Sequence, residues 1–308
     1  MTGVLVGFAI IGAIILVGYI VGRLRVLGDH SAYVLSRIAF YVLTPCLLFT
    51  VLADADVHVL FSTLLLVSAI AAVTAGLLFA TISRVFFKRP VSETVIGTLS
   101  SAYVNGNNIG IPVAVYVLGD AALSAPIVLL QLLVFVPITL TILDVQERGR
   151  ASVREILTRT FTTPMIVASL IGVLFSVFEF TPPEEVMAPF RIIGAAAVPV
   201  LLIAFGMSLH GNRVLAPGSP RRDVFAASAI KLAFMPVVAW LVGGYVFGLS
   251  GHSLFTVVVL AALPTAQNVF NYAQRYDRGV LLARDVTLIT TILSVPALVV
   301  IAALLAPR

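Results

Sequence analysis

The stretch YVNGNNIGIPVAVYVLG, Tyr103–Gly119, has the apolar flanks of a membrane-spanning helix, yet its centre holds three asparagines, two glycines and a proline. Its surroundings decide how it is read. Hydrophobic residues make up 60% of the 308 positions and charged residues 11%, with mean hydropathy +1.11. A water-soluble fold with so little polar surface could not cover itself, so the chain reads as an all-α polytopic membrane protein.

An apolar stretch of about 18 residues or more crosses a hydrocarbon core roughly 30 Å thick while satisfying its own backbone hydrogen bonds. With charge clusters as boundaries, ten such spans are predicted, at about 3–22, 33–52, 59–82, 94–119, 122–143, 164–180, 186–209, 224–248, 253–274 and 285–306. The first has no basic residues before it and no small-residue cleavage motif after it, so it reads as a retained helix. The connections alternate between basic and acidic or neutral, and the basic ones hold fifteen of the 19 Lys and Arg. The bias of cytoplasmic loops toward basic residues then places both termini outside. The net charge of +5 is spent on this topology and points to no nucleic-acid partner. No separate soluble domain is predicted.

Ten spans divide into five and five, and an odd number per half turns a second copy upside down. The predicted organisation is a first five-helix repeat over 1–143, a cytoplasmic linker over 144–163 and an inverted second repeat over 164–308. Arg37 precedes Pro45 by eight residues in span 2, and Arg191 precedes Pro199 by eight in span 7. The stronger echo is between span 4 and span 9, LFTVVVLAALPTAQNVFNYAQRY, where Pro264, Gln267, Asn268 and Asn271 interrupt an apolar run. Both disruptions fall near the middle of their spans.

Proline lacks an amide hydrogen and clashes with the carbonyl four residues back, so each helix is expected to break just before Pro112 and Pro264. Gly106 and Gly110 allow close approach and unusual dihedrals there. Unpaired backbone at this depth is tolerated only against protein or a watery cavity, and carboxamides can serve both the loose backbone and a polar ligand. A helix broken in two offers a new N-terminus, whose free amides and dipole favour an anion. Two crossing breaks would aim two such ends at one point. The candidate substrate-binding residues are therefore Asn105, Asn107, Asn108, Gln267, Asn268 and Asn271, with Gly110, Pro112 and Pro264 at the helix breaks and crossover. The ligand they suit is a small organic anion such as a carboxylate.

No carboxylate sits at the centre of a span, which counts against a buried Asp relay and a carboxylate-rich sodium cage. Lys231, about eight residues into span 8, either snorkels to the interface or pairs with a substrate or a helix C-terminus. Arg37 and Arg191 read as interfacial anchors. Glycines in span 1, GVLVG and GYIVG, match a small-residue packing pattern that serves an intramolecular contact or a homodimer face. Cys46 is the only cysteine and reads as packing, without a disulfide or thiolate metal site. Motifs for metalloproteases, serine hydrolases, P-loops and dinucleotide binding are absent, so neither an enzyme nor a cofactor is expected.

The motifs NGNNIGIPV at 105–113, LPTAQNVFNYAQRY at 263–276, FYVLTPCLLF in span 2 and VPVLLIAFGMSL in span 7 resemble the auxin efflux carrier family, in its short prokaryotic form. That resemblance covers nearly the whole chain. It implies crossed helices 4 and 9 in a fold like sodium/proton antiporters and bile acid symporters, with scaffold and transport domains moving in an elevator-type cycle. It also implies an organic anion as substrate, a dicarboxylate such as malate or malonate in bacterial members, and a bacterial inner membrane as location. The carry-over makes Pro112 and Pro264 the crossover prolines, with the six carboxamides around the anion. The long central loop of the larger plant carriers is missing, so their loop-phosphorylation control does not transfer. The readings left open are a sodium-coupled importer and a non-transporting receptor on the same fold.

Overall fold

Apolar runs in this chain become helices because a helix satisfies its backbone within one segment. The computed structural model describes residues 2–25, 27–28, 30–54, 63–148, 154, 158, 161–180, 182–208, 215 and 217–306, and every extended element among them is helical. In order they are α1 (Thr2–Arg23), α2 (Ser31–Ala53), α3 (Thr63–Val85), α4a (Val91–Ala102), α4b (Gly106–Leu118) and α5 (Ala121–Glu147). There follow α6 (Pro164–Val177), α7 (Glu184–Ser208), α8 (Arg221–Val246), α9a (Gly251–Ala261), α9b (Gln267–Tyr276) and α10 (Val280–Leu305). Six of these, α2, α3, α5, α7, α8 and α10, are long and apolar enough to cross a membrane. Leu16, Leu77, Ile192, Val246 and Leu304 are more than half exposed, as side chains facing lipid would be.

Four prolines reshape their helices in one way. Wide π-type turns cover Ala39–Leu43, Gly106–Gly110, Gln131–Phe135 and Ile230–Phe234, and each is centred four residues before a proline, at 45, 112, 137 and 236. The proline ring strikes the carbonyl four residues back, and a wider turn moves that carbonyl aside without stopping the helix. Pro112 is therefore absorbed inside α4b. The expected break just before it is corrected: α4a ends at Ala102 and the chain is non-helical at Tyr103–Asn105. Pro264, by contrast, lies within the second interruption, between Ala261 and Gln267.

Small residues set the closest helix contact. A Cβ on Gly22 would come within 2.9 Å of the Met207 backbone, and one on Gly18 or Gly206 would run into backbone of the facing helix. The Gly18 and Gly22 end of the span-1 glycine pattern is thus spent on α1 against α7. At the start of α4a, Arg89 makes a two-pronged pair with Asp223 of α8, at 3.1 and 2.8 Å, which holds the guanidinium pKa above its ordinary value. Arg191 pairs with Asp54 at 3.1 Å, and Arg37 lies against the rings of Tyr33 and Tyr41.

Two further expectations change. Lys231 does not snorkel, since it is 0% exposed within α8. Arg284, which the predicted spans leave in the basic connection before 285–306, lies in the second turn of α10. The cytoplasmic linker expected over 144–163 falls partly outside the described residues.

Candidate functional site

The two helix interruptions meet. Val104 and Thr265 form an isolated antiparallel bridge, the Asn105 amide donating to the Pro264 carbonyl at 2.8 Å and the Ala266 amide to the Tyr103 carbonyl at 3.1 Å. Where each helix loses its own ladder, the other supplies a short one. The remaining amides of the bridge find side chains. Val104 N–H donates to Gln131 Oε1 of α5 at 2.6 Å, and Thr265 N–H donates to Thr290 Oγ1 of α10 at 3.1 Å. Buried amides need such partners, because an orphan in an apolar interior costs about 1–3 kcal/mol.

The half-helix ends are treated differently. At the C-terminal end of α4a, the Ser100 carbonyl accepts from the Thr265 hydroxyl. At the C-terminal end of α9a, the Ala261 carbonyl accepts from Lys231 Nζ at 2.9 Å, with Met235 Sδ 3.2 Å from the same nitrogen. A cation is well placed where a helix ends in unpaired carbonyls. The N-terminal ends differ as well. Asn105 caps α4b, its Oδ1 accepting from the Asn108 amide at 3.1 Å, whereas α9b follows Ala266 with no side-chain cap.

Both N-terminal ends line one cavity of about 80 Å³, through Asn105 and Gln267. Its other walls are Phe205 and Ser208 of α7, Phe270 of α9b, and Arg284, Thr287, Leu288 and Thr291 of α10. Four residues at spacings of three, four and seven form one face of a helix, so α10 turns a single polar edge to the cavity. Arg284 Nε donates to Asp285 Oδ1 at 2.9 Å, and Asp285, 0% exposed, also accepts from the Ser219 hydroxyl. Arg284 Nη2 stands 2.8 Å from the same Oδ1 as an ion pair, without the geometry of a second hydrogen bond. Thr287 Oγ1 and Thr291 Oγ1 are buried without partners.

The predicted residues separate into groups. Asn105 and Gln267 line the cavity, and Asn108 joins the α4b cap while accepting from Asn107 Nδ2 at 3.0 Å. Asn107 keeps a buried, unpaired Oδ1, Asn268 lies beside the Tyr103 side chain, and neither lines the cavity. Asn271 is exposed and lies outside it. Gly110 packs beside Leu263 in the crossing, and Pro112 lies beyond it. The residues that sequence reasoning missed are Gln131, Thr290, Arg284, Thr287 and Thr291. Their signal was present as a glutamine near the centre of the apolar α5 and a polar stripe along α10.

Comparison with known proteins places the chain. The profile of the family described as membrane transport protein matches residues 4–302. An uncharacterized transporter of Methanothermobacter thermautotrophicus is 29% identical over 290 residues, covering 92% of this chain and 93% of that one. A Rhizobium meliloti protein named "Putative malonate transporter" is 27% identical over 297 residues, covering 92% and 89%. An uncharacterized transporter of Methanocaldococcus jannaschii is 22% identical over 292 residues, covering 91% and 92%. With its apolar helices and crossed interruptions, this chain is an integral membrane protein and belongs to the membrane transport protein family, the auxin efflux carriers whose motifs it bears.

Proposed function

We propose that this transporter is a secondary carrier of a small organic anion, a carboxylate, bound where the two interrupted helices cross. The observation that carries the reading is the single cavity lined by Asn105 and Gln267, the first residues of both N-terminal half-helix ends. The aligned dipoles of both ends and the uncapped start of α9b favour negative charge, and no carboxylate stands among the cavity's described lining residues. The name of the Rhizobium meliloti relative makes malonate the first compound to try.

In this reading the chain is two inverted five-helix repeats, 1–143 and 164–308, joined by a cytoplasmic linker, with both termini outside. The matched support of the bridge, Gln131 from α5 and Thr290 from α10, fits that symmetry, since each is the last helix of its half. Transport then follows by an elevator-type shift of one domain against the other. Export of an anion from a negative-inside bacterial cell needs no coupled ion, because the potential supplies about 2.3 kcal/mol per charge per 100 mV.

Flux into proteoliposomes tests this directly. Malonate, succinate and acetate are offered with and without sodium, under an imposed potential. Uptake of a carboxylate that follows the potential and is indifferent to sodium is expected, with Gln267→Ala reducing it at least tenfold. Strict sodium dependence turns the reading to a coupled importer, and binding without flux turns it to a receptor. Full activity in Gln267→Ala would sink the site.

A further inference from the structure

We propose that Arg284 is the residue that grips the substrate's carboxylate, using the edge of its guanidinium that Asp285 leaves free. This rests on the carboxylate-carrier reading above. The guanidinium presents five N–H groups in a rigid fork, and two of its edges can each receive a carboxylate. Asp285 occupies the edge made by Nε and Nη2, through Oδ1 at 2.9 and 2.8 Å. The outer edge, formed by the two terminal nitrogens, has no protein acceptor among the described residues. Arg284 itself lines the cavity.

The neighbours on the same helix face agree with this. Thr287 Oγ1 and Thr291 Oγ1 are buried without partners, and Thr291 is 4% exposed. Native proteins rarely leave several buried polar atoms unmatched around one void, so the group as a whole points to a missing acceptor. Two hydroxyls and a guanidinium can all donate, and a carboxylate accepts at about four sites. The apolar walls contributed by Phe205, Phe270 and Leu288 lower the local dielectric and so strengthen a charged hydrogen bond made there.

Asp285 acts as a positioning residue. Its second oxygen is held by Ser219, so the carboxylate is fixed and in turn fixes the orientation of the guanidinium. Arg284 lines the same cavity as Asn105 and Gln267, which brings a full positive charge together with two helix N-termini. The volume of about 80 Å³ is small beside the roughly 300–1,000 Å³ of sites for drug-sized ligands. A short aliphatic acid suits this space.

The experiment measures malonate, succinate and acetate binding to purified wild-type protein, Arg284→Lys and Arg284→Gln by calorimetry, with thermal unfolding as a check on folding. Arg284→Gln should weaken the best-bound acid about 10- to 100-fold, the usual worth of a charged hydrogen bond. Arg284→Lys, which keeps the charge and loses the fork, should recover part of that loss. Where Arg284→Gln alone does not fold, the double variant Arg284→Gln/Asp285→Asn removes the buried pair together. As a measurement free of mutation, phenylglyoxal labelling of the wild type, read by mass spectrometry, should show Arg284 protected by the bound acid. Affinity within twofold of wild type in a folded variant, or no protection of Arg284, overturns the assignment while leaving the carrier reading intact. A wild type that binds none of the three acids removes the carrier reading and this inference with it.

Discussion

The interruption in the fourth helix and that in the ninth solve one problem with different chemistry. Each gives its bridge amide to a side chain of the following long helix, and each borrows a strand-like partner from the other. They diverge at their ends. The C-terminus of α4a meets a threonine hydroxyl, and that of α9a meets the side-chain nitrogen of a fully buried lysine. The N-terminus of α4b is capped by its own Asn105, and that of α9b has no side-chain cap. The fourth helix is closed on itself, so the ninth presents the more open donor end to the cavity.

This contrast can be broken in stages. The largest effect is expected from Lys231→Met, which bares the Ala261 carbonyl and should cost about 3 kcal/mol, the upper range for a buried acceptor left unsatisfied. Thermal unfolding in detergent measures it, and an unchanged midpoint would mean that the end of α9a has another partner. Gln131→Leu should follow at about 2 kcal/mol, because its short bond to Val104 is lost and a buried amide is orphaned.

Thr290→Val makes the equivalent change in the second half at a longer bond, and about 1 kcal/mol is expected. If Thr290→Val costs more than Gln131→Leu, the order of support proposed for the two crossings is reversed. Asn105→Ala should be the mildest for folding, about 1 kcal/mol or less for a lost N-cap, while still weakening carboxylate binding in the calorimeter. An Asn105→Ala protein with wild-type affinity would assign the ligand to the α9b and α10 side of the cavity alone.

Much of this arrangement was legible along the chain. Two polar disruptions in apolar runs marked two interrupted helices, because proline and asparagine have a short list of uses at that depth. The position of the first was misjudged by proline. Pro112 looked like the breaking residue, but a wide turn over Gly106–Gly110 absorbs it, and Asn105 sets the new start by capping. Asn271 shared the composition of the site without its location: four residues after Gln267 it lies one turn farther along α9b, exposed and outside the cavity. Arg284 was hidden by a boundary. A basic residue after an apolar span reads as a loop anchor until the helix is seen to begin at Val280.

By itself, the sequence determined the solvent, the helical class, the two interruptions and the family, because hydropathy and the chemistry of proline, glycine and asparagine act locally. Only the tertiary structure decided which atoms answer one another across the crossing. Gln131 lies 27 residues from Val104, Lys231 30 from Ala261 and Thr265 165 from Ser100. At such separations a lone polar residue in an apolar helix announces that it needs a partner, and packing alone chooses that partner.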